Sequence, residues 1–269
     1  MENGLAHYNE GFSGCQAPWA VGRANVVCYN KPCVRGRMEG RDDMRRLTVY
    51  QRHTGKLQRP LALLVVSDLH DEPYDDLLPM LDGADALLVP GDVSDRYRQS
   101  ASRGVQFLRE AANRLPTYFS LGNHETRQGN YRALMETIAG TGARVLVNRY
   151  ERFGEIWIGG WYAPSIVKTP DMLDEFERLD GAKVLLCHKP HEAVALMRGW
   201  DIDLVVAGHA HGGQIRVRGQ GLYAPGQGLF PRYTRGVVEE RLIISAGVGN
   251  PSHMPRWGNP CEVLKIILD

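Results

Sequence analysis

Residues 61–70 read Leu-Ala-Leu-Leu-Val-Val-Ser-Asp-Leu-His, an unbroken apolar run that ends in two polar side chains. A leucine- and valine-rich run of this length is typical of a strand that is buried on both faces. Asp68 and His70 follow the predicted strand directly. A carboxylate and an imidazole are therefore expected at the edge of a sheet.

The same arrangement occurs four more times along the chain. Apolar runs at 86–89, 117–121, 183–187 and 203–207 lead into Pro-Gly-Asp-Val-Ser-Asp-Arg (90–96), Gly-Asn-His-Glu (122–125), His-Lys-Pro (188–190) and Gly-His-Ala-His (208–211). Ligands of open α/β sheets bind outside the carboxyl ends of the strands. Five strand ends that carry Asp, Asn and His predict one polar site at that edge.

The segments between these runs predict an α/β fold. Helical patterns occupy 74–81, 102–114, 131–139, 171–179 and 191–197, and further short strands are predicted at 47–51, 143–147 and 155–159. This alternation indicates helices outside a buried sheet. After Gly208 the pattern is β-rich, with strands expected at 214–218, 236–239, 242–245 and 262–268. A β-rich second half packed on the first sheet would place two sheets face to face.

Composition and charge narrow the class of protein. The chain has 269 residues, 43% hydrophobic and 23% charged, with a formal net charge of +1. These values are ordinary for a folded protein with a sizeable core, and they exclude a disordered chain. The near-zero charge argues against a nucleic-acid partner held by phosphate contacts.

Residues 1–46 show no regular period and are expected to form an irregular N-terminal extension, followed by one domain over 47–269. The five cysteines are few and odd in number, which favours free thiols in a reducing compartment. No apolar run approaches the roughly 18 residues of a membrane span, and no signal-peptide pattern is seen. A cytoplasmic location is therefore expected.

The residue types after the strands suit a metal site. Carboxylate oxygen, imidazole nitrogen and amide oxygen are ligands of divalent Mn, Fe, Zn or Co. In an extended segment, residues i and i+2 point the same way, which would aim Asp68 with His70, and His209 with His211, at one point. Glycines precede Asp92, Asn123 and His209 and would allow the backbone to approach a ligand closely.

Taken together, the series Asp68-x-His70, Gly91-Asp92-x-x-Asp95-Arg96, Gly122-Asn123-His124-Glu125, His188 and Gly208-His209-x-His211 resembles the calcineurin-like metallophosphoesterase superfamily. The resemblance runs from about residue 47 to the end of the chain. The tail, with Gly247-Val248-Gly249 and Pro260-Cys261-Glu262-Val263, is similar to a small bacterial phosphodiesterase branch. Members of that branch are often anchored to membranes or exported.

The resemblance implies a four-layer α-β-β-α sandwich of two mixed sheets with a dinuclear metal centre of Mn, Fe or Zn. One ion would be held by Asp68, His70, Asp92 and His211, and the other by Asp92, Asn123, His188 and His209. His124 matches the family's general acid and Asp95 the carboxylate that orients it. Substrate contacts are expected from Arg96 and Asn123 and, in the tail, from His253 and Arg256.

The implied activity is hydrolysis of a small phosphoester, most simply a diester, by a hydroxide that bridges the metals, with His124 protonating the leaving group. Two alternatives stay open. One is a pyrophosphohydrolase that acts on a nucleotide-sugar lipid, and the other is a non-catalytic scaffold of the same fold. Peripheral contact with a membrane is compatible with this branch, and the oligomeric state is left open.

Overall fold

The structure is a computed structural model that describes residues 45–98, 102–163, 172–252 and 254–269. The extension predicted over residues 1–46 therefore lies outside the described residues, apart from Arg45 and Arg46. Within the described ranges, no helix has the length and apolar character needed to cross a bilayer.

The described residues contain sixteen strands and five α-helices. The strands are β1 (Arg46–Arg52), β2 (Leu61–Val65), β3 (Ala86–Val89), β4 (Thr117–Phe119), β5 (Arg144–Val145), β6 (Arg149–Phe153), β7 (Ile156–Trp161), β8 (Ala182–Cys187), β9 (Leu204–Ala207), β10 (Arg216–Val217), β11 (Gln220–Gly221), β12 (Tyr223–Ala224), β13 (Gly228–Leu229), β14 (Gly236–Val238), β15 (Leu242–Ile244) and β16 (Glu262–Leu268). The helices are α1 (Ser102–Ala112), α2 (Asn123–Thr126), α3 (Tyr131–Ala139), α4 (Met172–Phe176) and α5 (Pro190–Gly199).

Two six-stranded mixed sheets form the centre of the protein. The first has the strand order β1-β16-β2-β3-β4-β5, and the second has the order β14-β15-β9-β8-β7-β6. Strands β2, β3 and β4 are parallel to one another, as are β7, β8 and β9. Their carboxyl ends therefore meet at common edges, as the sequence predicts for the polar segments.

The predicted four-layer sandwich is confirmed by where alternate side chains pack. On β2, Leu63 and Val65 contact the apolar layer between the two sheets, whereas Leu64 packs under α1 and α3. Residues of β8 divide in the same way, with Val184 between the sheets and Leu185 under α4 and α5. The period of two along each strand produces three apolar layers, and hence the order α-β-β-α.

The division of the chain between the sheets differs from the prediction. Strand β16 returns to the first sheet, where it pairs parallel with β1 and antiparallel with β2. The second sheet takes its centre from β7–β9 and adds β15 and β14 at one edge. Strand patterning reveals which residues are extended but not which partner they choose, because pairing is decided by packing between distant segments.

Two local predictions were wrong, and one longer strand was missed. The helix expected over 74–81 is a short 3-10 turn at Leu78–Leu81, because Pro79 has no N–H to donate within a longer helix. The strand expected over 214–218 is reduced to β10. Strand β6 was not predicted, since an edge strand of sequence Arg-Tyr-Glu-Arg-Phe has no continuous apolar pattern.

Candidate metal centre

The five polar segments converge at one edge of the sandwich, although they come from both sheets. The loop after β2 carries Asp68 and His70, and the loop after β9 carries His209 and His211. The backbone N–H of His209 donates to Asp68 Oδ1 at 2.9 Å, and His70 Nε2 lies 3.2 Å from His211 Nε2. Packing of the sheets thus joins segments that are 141 positions apart.

The predicted extended conformation of these segments is wrong. Asp68, His70 and His211 have φ values of 56°, 52° and 45°, and Asp92 and His209 are also left-handed. Such a conformation costs a non-glycine residue about 1–2 kcal/mol. It persists because the surrounding bonds over-determine it, including Asp68 N–H to the Gly91 carbonyl at 3.1 Å and His70 N–H to the Asp92 carbonyl at 3.0 Å. Paired left-handed turns, rather than strand alternation, direct these side chains.

Two of the glycines predicted to approach a ligand closely lie against the carboxylates of the site. A Cβ on Gly122 would lie 2.1 Å from Asp92 Oδ1. A Cβ on Gly208 would lie 2.5 Å from Asp68 Oδ2. Both positions exclude any side chain, so glycine here is required by the fit around the two carboxylates.

Two sets of buried side chains have the spacing of metal ligands. Asp68, His70 and His211 place one potential ligand atom each within 4.8 Å of one another, and Asp92, His188 and His209 do the same. All six residues are buried, with at most 8% of their surface exposed. Asp92 connects the sets, because its Oδ2 lies 3.1 Å from His188 Nε2 and 3.9 Å from His70 Nε2.

Unpaired polar atoms show that these residues fit a bound cation. Asn123 Oδ1 is buried and makes no hydrogen bond, and His188 Nε2 faces Asp92 Oδ2 at 3.1 Å without the geometry of a hydrogen bond. A buried polar atom without a partner is costly, and native proteins leave few of them. The orphaned atoms are an amide oxygen and an imidazole nitrogen, both ligands for a divalent transition metal. His188 Nδ1 meanwhile lies 2.7 Å from the Pro90 carbonyl, which fixes the ring with Nε2 facing Asp92.

Burial and charge set the protonation of the cluster in the absence of metal. Burial lowers the pKa of His70 to about 3, and burial with the nearby His188 charge lowers the pKa of His209 to about 3. Burial opposes the charged form of His188 as well, but the Asp92 carboxylate outweighs it and raises the pKa of His188 to about 9. Burial raises the pKa of Asp68 to about 6. His70 and His209 are therefore neutral and ready to bind a metal at pH 7, whereas His188 must first lose a proton.

His124 lies beside the two sets, with its ring centroid 4.4 Å from that of His70. Its Nδ1 accepts the Arg96 backbone N–H at 3.2 Å and lies 3.3 Å from Asp95 Oδ1. The ring thus has a donor partner when neutral and a carboxylate partner when protonated. Burial lowers the pKa of His124, while the Asp92 and Asp95 carboxylates oppose that effect. His70, Asp95 and His124 also have ligand spacing.

Three of the residues predicted to contact substrate, Arg96, Arg256 and His253, differ in what the structure shows of their surroundings. Arg96 is half-buried, and its guanidinium lies 4.5 Å from the centre of the Tyr97 ring while its Nε has no partner. Arg256 donates to the Ala246 and Gly249 carbonyls at 2.7 and 2.6 Å, and its Nη2 lies 2.8 Å from His211 Nδ1. His253 lies outside the described residues. Contact with substrate remains a prediction for all three.

Glu125 is a structural residue of the site to which the sequence analysis gives no role. Its buried carboxylate accepts hydrogen bonds from the backbone N–H groups of Asp92, Ser94 and Gly122 and from the Ser94 hydroxyl, all at 2.9 Å. One side chain therefore ties the loop after β3 to the loop after β4. Its position at the end of Gly-Asn-His-Glu is the available sequence signal, but Asp92 and Ser94 come from another loop.

Comparison with known proteins supports the family resemblance of the sequence. The sequence model of the family described as Calcineurin-like phosphoesterase matches residues 61–213. An uncharacterized metallophosphoesterase of Campylobacter jejuni is 29% identical over 177 residues, which cover 59% of this chain and 46% of the relative. The phosphodiesterase YaeI of Escherichia coli is 27% identical over 213 residues, 71% of this chain and 76% of the relative.

A crystal structure of a 5'-nucleotidase precursor from Thermus thermophilus has 18% identity and a TM-score of 0.45, covering 59% of this chain and 43% of that one. The chain spans about half the length of several curated relatives that it matches. The family match includes every strand end from Asp68 to His211, and it takes in more than half of the residues. The chain belongs to the calcineurin-like phosphoesterase family.

Proposed function

We propose that this protein is a metal-dependent phosphoesterase that hydrolyses phosphodiesters at a two-metal centre. The observation that carries the proposal is the position of Asp92, whose Oδ2 lies 3.1 Å from His188 Nε2 in its own ligand set and 3.9 Å from His70 Nε2 in the other. A carboxylate in this position can bridge two cations, which is the arrangement of many two-metal phosphoester hydrolases. The name of the YaeI relative supports a diester as substrate.

The residues present assign a set of ligands to each ion. Asp68, His70 and His211 with Asp92 would hold the first, and His188, His209 and Asn123 with Asp92 would hold the second. Their oxygen and nitrogen atoms suit Mn, Fe or Zn. Bound divalent ions supply Lewis-acid stabilisation of phosphoryl charge and lower the pKa of water.

The chain itself supplies a proton and its control. His124 is the side chain placed to deliver a proton to the leaving oxygen, since it is not needed in either ligand set. Asp95 Oδ1, 3.3 Å from Nδ1, accepts the hydrogen bond of the protonated ring and holds the opposite nitrogen towards the site. The partly buried position, with 8% of His124 exposed, limits competition from bulk water.

The first test compares hydrolysis of bis(p-nitrophenyl) phosphate and p-nitrophenyl phosphate by protein stripped of metal and then supplied with Mn²⁺. Activity that depends on metal and prefers the diester is the expected result. Preference for the monoester would redirect the proposal to a phosphatase. Inactivity on both, with metal bound, would favour the scaffold alternative.

Two substitutions separate metal binding from proton transfer. Asp92→Ala is expected to lose metal and activity together, whereas the exposed control Asp82→Ala keeps both. His124→Ala is expected to keep metal but to lose about 10²–10⁴-fold in turnover of diesters with poor leaving groups. The control is His53→Ala, an exposed histidine outside the centre. Unchanged turnover of such diesters by metal-loaded His124→Ala would refute the role of His124.

A further inference from the structure

Exposed apolar side chains are concentrated in the loops after β9 and β15. Among the described residues, eight large hydrophobic side chains are exposed, and six of them lie between positions 217 and 257. The six are Val217, Tyr223, Leu229, Phe230, Met254 and Trp257. Leu229, Phe230 and Trp257 have 74%, 69% and 66% of their surface exposed, values typical of charged surface residues rather than of apolar ones.

These side chains belong to one continuous surface, here called the loop surface and defined by residues 216–233, 250–252 and 254–258. Tyr223 and Leu229 are directly opposed in the β12–β13 pair, so their side chains leave the same face. The two parts of the loop surface are joined where Arg216 N–H donates to the Trp257 carbonyl at 2.9 Å. A second bond joins Gln214 Nε2 to the Met254 carbonyl at 2.6 Å. Exposed apolar patches of this kind mark interaction sites.

The charge of the loop surface has one sign. The sequence has no Asp or Glu from 204 to 238 or from 242 to 261, whereas Arg218 and Arg232 are exposed within these stretches. Glu239 and Glu240 lie at the turn between β14 and β15, where Glu239 forms an ion pair with Arg198 and also interacts electrostatically with Arg232.

Among the described residues, one acidic side chain hydrogen-bonds to this surface from outside it. Glu72 accepts the backbone N–H of Asn250 at 3.1 Å, which orients its carboxylate towards the backbone. The loop surface therefore presents arginine and apolar side chains without acidic neighbours in its own sequence. This combination matches an anionic lipid layer, in which phosphates meet the arginines and acyl chains meet the apolar tips.

The loop surface adjoins the candidate metal centre. A Cβ on Gly226 would lie 3.9 Å from His209 Nε2, and Arg256 contacts His211 from the second part of the surface. A membrane bound here would hold the centre close to the lipid headgroups.

We propose that the loop surface docks the protein onto an anionic phospholipid membrane, with Leu229 and Phe230 inserted at the acyl boundary and Arg218 and Arg232 at the lipid phosphates. The near-zero net charge of the chain disfavours a nucleic-acid partner held by phosphate contacts, whereas the exposed side chains of Leu229 and Phe230 suit acyl chains. The absence of acidic side chains in these loops disfavours self-association through ion pairs. Docking does not require hydrolysis, so it stands or falls independently of the proposed function.

The test is co-sedimentation of the full-length protein with vesicles of phosphatidylcholine alone or mixed with phosphatidylserine, without added metal. Binding is expected with the mixed vesicles and is weakened by added salt. The double variant Leu229→Ser/Phe230→Ser should lose at least about tenfold in partitioning. Arg218→Gln/Arg232→Gln should lose about fivefold for each charge, and only on anionic vesicles. Tyr97→Ser, an equally exposed aromatic residue outside the loop surface, is the matched control.

Several results would overturn the proposal. These are absence of binding to phosphatidylserine vesicles, equal binding by the wild type and Leu229→Ser/Phe230→Ser, or equal loss in the Tyr97→Ser control. If the wild type does not bind vesicles but forms a dimer that Leu229→Ser/Phe230→Ser disrupts, the surface would instead be a contact between copies of this chain. Salt-sensitive binding to single-stranded DNA in place of vesicles would reassign it to nucleic acid. These variants alter exposed side chains, so their thermal unfolding is expected to match that of the wild type, which checks that they fold. Diester hydrolysis by the wild type is measured separately, so that failure of the proposed function can be distinguished from failure of membrane docking.

Discussion

Replacing Glu125 by glutamine changes one atom of a buried side chain that joins two loops of the candidate metal centre. Oε1 accepts from the N–H and hydroxyl of Ser94, and Oε2 accepts from the N–H groups of Asp92 and Gly122. A glutamine amide can replace only one oxygen acceptor, so its NH₂ must face two of these donors. The less costly orientation turns the NH₂ towards Ser94, whose hydroxyl can rotate to accept.

The energetic cost follows from the groups that remain. The Ser94 N–H is left facing a donor, which costs about 1–3 kcal/mol for an unsatisfied buried group. The two bonds to Asp92 and Gly122 lose a charged acceptor and weaken by roughly 0.5–1 kcal/mol each. Removing the buried negative charge recovers part of this free energy, because burial disfavours the charged form and raises the pKa of Glu125 above its usual value. The expected net loss in the free energy of unfolding is about 3 kcal/mol, a large share of the 5–15 kcal/mol typical of a domain.

Urea denaturation of the metal-free protein measures this loss through the transition midpoint. Glu136→Gln is the matched control, since it makes the same chemical change on the exposed face of α3 and should alter stability by less than about 0.5 kcal/mol. Isothermal titration with Mn²⁺ should also show weaker binding by Glu125→Gln, because the loops that carry Asp92 and Asn123 lose their tie. If Glu125→Gln unfolds at the same urea concentration as Glu136→Gln, the account of Glu125 as the link between the loops is wrong.

Two further predictions concern the centre itself. His188 has a pKa of about 9 in the folded protein, above its unfolded value, so metal binding between pH 6.5 and about 9 should release a proton from it. The apparent affinity for the metal should therefore rise up to tenfold for each unit of increasing pH in this range. The same pKa shift stabilises the metal-free protein fully below pH 6.5, and this stabilisation is lost as the pH rises through 9, by up to about 1.4 kcal/mol per unit. Titration with Mn²⁺ and urea unfolding across this pH range measure the two effects. A flat pH profile in both measurements would contradict the role of His188. Gly122→Ala places a Cβ 2.1 Å from Asp92 Oδ1 and should lower the affinity for Mn²⁺ at least tenfold. The control is Gly129→Ala, whose added Cβ has no atom within 4 Å and which should bind Mn²⁺ as the wild type does. Equal affinities of the two variants by calorimetric titration would show that Asp92 can move aside without loss of metal binding.

The chemistry of the centre could be predicted from the sequence because its signals are local. Each apolar run ends at a short polar segment, and a period of two or an unbroken run depends only on neighbouring residues. Most of the predicted strands are present, and Asp68, Asp92, Asn123 and His188 therefore follow strand ends in the structure. The family assignment rests on the same segments.

What could not be predicted depends on contacts between segments that are distant in the sequence. The left-handed conformation of Asp68 and His70 is held by backbone bonds to Gly91 and Asp92, which no local pattern contains. The role of Glu125 likewise depends on Ser94 and Asp92, about thirty positions earlier.

The sequence by itself thus determined most of the strands, the polar residues that follow them and the family. The tertiary structure decided that β16 returns to the first sheet, that Asp92 lies between two candidate ligand sets, and that Leu229 and Phe230 stay exposed. The physical reason is that propensity and periodicity act over a few residues, whereas pairing, burial and pKa are set by whichever groups packing brings together. An apolar residue in a loop looks the same in sequence whether its neighbours cover it or not.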